Sequence, residues 1–278
     1  ADFIAVLEKV SSKDLNEFKG VWLEGKDFPK EIAKDFLIKK SSSVRMFYVW
    51  KHDREKTFTS KETLEDSELS IELKLELLKL KNDFIGMQLW PIIVNDDIKI
   101  RQFAAKKMDI IPEELREFAE PLLLDDSYIT NELMLYNLWT SFNYDQSIFL
   151  DKTKNIIGLP NKNVRLLWLT LALITKKYNS ELSTAYYEEL VEYTSSIYNP
   201  EVRQTAFQYL FEIKALNNDV LTNLIKASNH HSWQFRNFSR RLLDSLLEDK
   251  EHKNEIEKVS KQLNIADLRY LKTKLDFK

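Results

Sequence analysis

Apolar positions recur along most of this chain with the spacing of one helix face. Phe3, Val6, Leu7 and Val10 stand at i, i+3, i+4 and i+7 and predict an opening helix. Ser11-Ser12-Lys13-Asp14 has the form of a capping box and predicts the next start, with Leu15, Phe18 and Trp22 as its buried stripe. Gly25 and Pro29 predict its end. Ile32, Phe36 and Leu37 predict a short helix that Ser41-Ser42-Ser43 breaks, and Val44 to Trp50 fits a helix or a strand. Thr59-Ser60-Lys61-Glu62 is a second capping box, opening a long Leu-rich helix interrupted near Gly86 and Pro91.

From about residue 96 the punctuation becomes regular. Pro112 followed by Glu113 and Glu114 reads as a first helical turn, with carboxylates at the positive end of the dipole. Leu135, Leu138, Trp139 and Phe142 share one face, and Gly158 with Pro160 marks a stop. Val164 to Ile174 is apolar almost all round, which places that helix at the centre of the fold. Phe235, Phe238, Leu242 and Leu246 give a further face. Ile256, Val259 and Leu263, then Leu268, Leu271 and Leu275, predict two short closing helices.

Four of these starts share a capping residue, two spacers, an apolar residue and an arginine: Asp97 to Arg101, Asn161 to Arg165, Asn199 to Arg203 and Ser232 to Arg236. A degenerate copy runs from Thr130 to Met134, where Met takes the arginine's place. The five positions are separated by 33, 31, 38 and 33 residues. Repeats of this length are the mark of stacked helix pairs, and they predict an all-α, HEAT- or armadillo-like solenoid. Arg101, Arg165, Arg203 and Arg236 are expected to tie each pair to its neighbour through a carboxylate or carbonyl, since a buried guanidinium needs a partner.

Composition narrows the chemistry. In 278 residues there are 41 Lys and Arg against 44 Asp and Glu, a net charge of −3, so no nucleic-acid partner is expected. No apolar run reaches the roughly 18 residues of a membrane helix, and the opening residues do not read as a basic-then-apolar leader. There is no cysteine, which removes disulfides, cysteine nucleophiles and thiolate metal sites. Four glycines cannot build a Gly-rich phosphate loop. The His-Glu-x-x-His pair of zinc peptidases and the Gly-x-Ser-x-Gly elbow are absent. His230-His231 point about 100° apart on a helix and read as a polar turn, while His52-Asp53 is a weak match to metal phosphohydrolases. Acidic pairs such as Asp96-Asp97, Asp125-Asp126 and Glu188-Glu189 read as solvated helix ends. Tyr186, Tyr187, Tyr193 and Tyr198 read as half-buried packing with wet hydroxyls.

Asp2-Phe3-Ile4, Asp14-Leu15-Asn16-Glu17-Phe18, Trp22-Leu23 and Asp27-Phe28-Pro29 resemble the closing helices of the catalytic domain in zinc aminopeptidases of the aminopeptidase N and leukotriene A4 hydrolase family. Pro121 to Thr130 and Asn163 to Leu169 resemble that family's helical C-terminal domain, particularly in bacterial members. The resemblance implies a fragment: residues 1–29 as the end of a truncated thermolysin-like catalytic domain, 30–95 as a connector with the first helices, and 96–278 as a HEAT-like C-terminal domain. It implies a non-catalytic role, capping the active-site chamber and restricting which peptides enter. The zinc belongs to the parent protein, with no cofactor and no catalytic or metal-ligating residue in this chain. The partners implied are the upstream catalytic domain of the same polypeptide and the parent's peptide substrates, in a bacterial cytoplasm or cell envelope. Arg165 and Arg203 are candidates to face the chamber. The truncated surface is expected to expose apolar groups around the first helices. A free-standing helical-repeat adaptor that binds a protein or peptide is the alternative.

Overall fold

The apolar run from Val164 to Ile174 forms a helix with eight buried residues, and the surrounding elements are arranged about it. The computed structural model describes residues 3–52, 59–80 and 87–275. Asp2, Asp53 and Gly86, named above, lie outside them. Seventeen α-helices and no strand are found among the described residues, so the fold is all-α. The chain divides into two units, Ala1–Ile93 and Val94–Lys278.

The first unit holds α1 (Phe3–Ser11), α2 (Asn16–Phe18, continued by a π turn at Lys19–Leu23), α3 (Lys30–Lys40), α4 (Ser42–His52), α5 (Ser60–Glu65), α6 (Ile71–Leu78) and α7 (Trp90–Ile93). α3 packs on α4, α4 on α6, and α5 on α6. The Thr59 capping box is formed, with Thr59 N–H donating to Glu62 Oε2 at 2.7 Å and Glu62 N–H to Thr59 Oγ1 at 3.2 Å. The box at Ser11 is not. Ser12 takes a left-handed φ of 54°, and the Ser11 hydroxyl donates back into its own helix, to Leu7 O. Glu8 and Asp14 accept the N–H groups of Leu15 and Asn16 instead. Val44 to Trp50 is helical, because Ser41 Oγ accepts the Val44 N–H and starts α4. The Leu-rich stretch splits into α5 and α6, since Asp66 Oδ1 accepts from Glu68 and Leu69 and turns the chain before Ser70 caps α6. Pro91 stands in the first turn of α7, where its missing N–H costs nothing.

The second unit holds α8 (Ile98–Lys107), α9 (Arg116–Ala119), α10 (Tyr128–Ser141), α11 (Gln146–Thr153), α12 (Asn163–Ile174), α13 (Ser183–Glu192), α14 (Pro200–Glu212), α15 (Asn218–Ala227), α16 (Trp233–Glu248) and α17 (Lys250–Ser260). α8 packs on α10, α10 on α12, α12 on α14 and α14 on α16. The intervening α11, α13 and α15 each pack on the helix that follows them. Asp97 and Asn199 cap α8 and α14, accepting from Lys99 N–H at 2.8 Å and Val202 N–H at 2.9 Å. Ser127, rather than Thr130, caps α10. Asn161 does not cap α12, which starts at Asn163 behind a left-handed Lys162. Ser232 precedes α16 without a side-chain cap bond; its N–H donates to His230 Nδ1 at 3.1 Å. Of the two closing helices, α17 forms. Leu268 and Leu271 are buried from turns and a short 3-10 segment, Leu271–Thr273.

Gly158 makes the entry to α12 possible. Its φ is +78°, and a Cβ there would lie 2.4 Å from Asn163 Oδ1 and 2.8 Å from Val164 N. The left-handed backbone costs a side chain about 1 kcal/mol, and forced overpacking adds at least as much. Gly158→Ala is therefore expected to destabilise the second unit by about 2 kcal/mol, read from a shift of the urea midpoint.

Candidate functional site

The four repeat arginines face their own scaffold. Arg101 donates through Nε and Nη2 to Asp125, and through Nη1 to the carbonyl of Asp96. Arg165 makes a two-pronged bond to Glu189, Nε to Oε1 at 2.9 Å and Nη2 to Oε2 at 2.6 Å, and donates from Nη1 to Lys154 O. Arg203 donates to Thr194 O at 3.0 Å and lies over the Phe235 ring at 4.9 Å. Arg236 donates to the carbonyls of His230 and His231.

One physical need accounts for the carbonyl bonds of Arg165 and Arg203. The last carbonyls of a helix have no partner within it, and a cation beside them is favoured by the dipole. Lys154 closes α11 and Thr194 follows α13, and each carbonyl is taken by an arginine of the next helix. Arg240 does the same for Ser228, at the end of α15, at 2.8 Å. Where Met134 replaces the arginine it is fully buried, and asparagines one turn away on either side take over. Asn131 donates to the carbonyls of Leu123 and Asp125, and Asn137 to those of Ala105 and Met108. The sequence pattern marked the arginines but not these asparagines; their signal is the spacing of three residues before and after Met134.

Electrostatics follow the same bonds. Burial alone would raise the Glu189 carboxyl, but hydrogen bonds from Arg165 and Tyr193 outweigh it and hold the group below the ordinary glutamate value. Arg203 has no carboxylate, and burial lowers its pKa. A carboxylate depressed in the folded state contributes stability above its unfolded pKa, and this is lost as pH falls through the folded value. The Arg165–Glu189 pair is thus expected to hold fully above about pH 5 and to weaken below about pH 4. Glu189→Gln should narrow the gap in urea stability between pH 7 and pH 3, and its cycle with Arg165→Ala should give a coupling of about 1–2 kcal/mol at pH 7. An unchanged gap would remove the pair from the acid response.

The remaining candidates hold structural positions. His230 meets the Phe235 ring edge-on at 5.1 Å; burial first, then His231, Arg203 and Arg236, lowers its pKa. His52 stacks on Tyr48. No group of three metal-ligating side chains is found among the described residues. Tyr187, Tyr193 and Tyr198 spend their hydroxyls on Ala215 O, Glu189 and Glu192, and Tyr186 meets the Trp168 ring edge-on at 5.0 Å. A groove of about 700 Å³ holds Glu113, Glu114, Glu117 and Glu120 beside Arg116 and Lys152. Burial would raise Glu120, but bonds from Lys152 and Arg116 hold it low, which suits an ion pair and not a proton donor.

The first unit carries the expected exposed apolar surface. Between residues 3 and 52 only Ile4 is buried. Phe3, Val6 and Val10 stand exposed along α1. Phe18 stacks on Trp22 with centroids 6.5 Å apart, Phe28 meets Trp22 edge-on at 5.8 Å, and all three remain exposed. Ile32, Phe36 and Leu37 are likewise exposed on α3, with Phe36 at 59 % exposure. An amphipathic helix is stabilised in water by covering such a stripe. No known protein family, curated protein sequence or solved structure matches this chain.

Proposed function

We propose that this chain is the non-catalytic, C-terminal helical part of a zinc-dependent aminopeptidase of the aminopeptidase N and leukotriene A4 hydrolase type. In this reading residues 1–29 close the catalytic domain, and residues 96–278 form a HEAT-like array that caps the active-site chamber and restricts peptide access. The zinc and its ligands belong to the upstream part of the polypeptide. The observation that carries the reading is the number of exposed large apolar residues between residues 3 and 37, among them Phe3, Trp22, Phe28 and Phe36, which a covering domain would bury. The succession α8, α10, α12, α14, α16, each packed on the next, supports a repeat array.

The test is the reading frame upstream of Ala1 in the source DNA. A His-Glu-x-x-His pair with a further Glu about 20 residues on is the expected result. A start codon immediately before Ala1 would overturn it, and the peptide- or protein-binding adaptor would take its place.

A further inference from the structure

Along α16, Trp233, Asn237 and Arg241 follow one another at four-residue steps, so they form a single strip. They line a cleft of about 550 Å³ together with Gln204 and Gln234. Trp233 is 61 % exposed, an unusual cost for an indole without a partner. The strip lies off the buried face of α16, which runs through Phe235, Ser239 and Leu243. Among the described residues the amides of Gln204, Gln234 and Asn237 and the guanidinium of Arg241 make no hydrogen bond or ion pair.

The C-terminal end of the cleft is fixed. Arg240 lies over the Tyr270 ring at 4.4 Å while bonded to Ser228 O, and Tyr270 and Lys274 both donate to Asp244 Oδ2, at 2.7 and 2.9 Å. Lys274 thereby neutralises the carboxylate in the cleft, and Arg240 and Arg241 are left as uncompensated positive charge, with only the Arg241 donors unspent. Asp244 Oδ1 is buried without a donor.

We propose that this cleft binds an extended, acidic peptide segment. Primary amides donate and accept together, which matches the alternating N–H and C=O groups of an extended backbone. Arg241 presents a planar fork to an Asp or Glu side chain, and Trp233 supplies a flat wall for an apolar neighbour. From Trp233 to Asp244 the strip runs about 16 Å, the length of about five extended residues. A nucleic-acid strand suits it less well, because Arg240 is already spent on the Ser228 carbonyl and the Tyr270 ring, which leaves Arg241 alone of the two arginines with donors for a phosphate. The proposal concerns the second unit alone and does not depend on the aminopeptidase reading.

The experiment is selection of a phage-displayed random dodecapeptide library on the full chain, followed by affinity measurement with the enriched peptides. Enrichment of Asp and Glu beside an apolar residue is expected. Trp233→Ala and Asn237→Ala should each weaken binding about tenfold while melting with the native chain. Arg241→Glu should turn the selection towards Lys and Arg. No enrichment, an acidic preference that survives Arg241→Glu, or displacement of the peptide by a twelve-residue oligouridylate at lower concentration would each overturn the proposal.

Discussion

Trp168→Ala is expected to cost about 4 kcal/mol and to lower the melting temperature of the second unit by roughly 8–16 °C. Trp168 sits in α12, the helix on which α10, α11, α13 and α14 all pack, and it is 2 % exposed. Its indole N–H donates to Leu150 O at 2.7 Å, and its ring meets Tyr178 and Tyr186 edge-on, with the Arg165 guanidinium 4.6 Å from its centre. Truncation leaves a large cavity, an unpaired buried carbonyl and a guanidinium without its platform. Trp168→Phe should recover most of the packing but not the hydrogen bond, leaving a loss of about 1–2 kcal/mol. Calorimetric melts of the two variants beside Trp233→Ala separate the roles of two tryptophans on different helices of the same unit. Trp233→Ala is expected to melt with the native chain, and a Trp168→Ala protein that did so too would mean that α12 does not organise the unit.

That helix was legible from the sequence because its apolar run is longer than any one-sided stripe requires. The caps were legible only in part. Asp97, Asn199 and Thr59 satisfy N–H groups two or three residues ahead, a local arrangement that sequence spacing specifies. Ser11 and Asn161 present the same residue types, but left-handed backbone at Ser12 and Lys162 redirects the chain, and no side-chain pattern announces that choice. The arginines were visible as a repeat, and their partners were not. The acceptors of Arg165, Lys154 O and Glu189, lie 11 residues before it and 24 after it, and only tertiary packing brings them within reach. The Trp233 strip carries no such signal for the opposite reason: it falls off the apolar period of α16, and no spacing rule distinguishes its polar residues from any solvated face.

Arg203→Ala is expected to cost about 3 kcal/mol, a fall of roughly 6–12 °C in melting temperature. The residue is 4 % exposed. Its guanidinium links Thr194, beyond the end of α13, to Phe235 on α16, so three elements lose a common contact when it is removed. The truncated site would hold an orphaned Thr194 carbonyl and a void against the Phe235 ring. Arg203→Met keeps the stem and its apolar contacts, so it should lose about 1–2 kcal/mol, chiefly the hydrogen bond to Thr194. Arg236 is less buried and takes two loop carbonyls, and Arg236→Ala should cost about 1 kcal/mol or less. This ordering distinguishes scaffold from ligand contact. An arginine held ready for a peptide carboxylate, as Arg241 is in the cleft of α16, loses binding on truncation and leaves the melt nearly unchanged. An Arg203→Ala protein that melts with the native chain would place Arg203 with Arg241, and helix-end carbonyl capping would then hold, among the repeat arginines, only for Arg165.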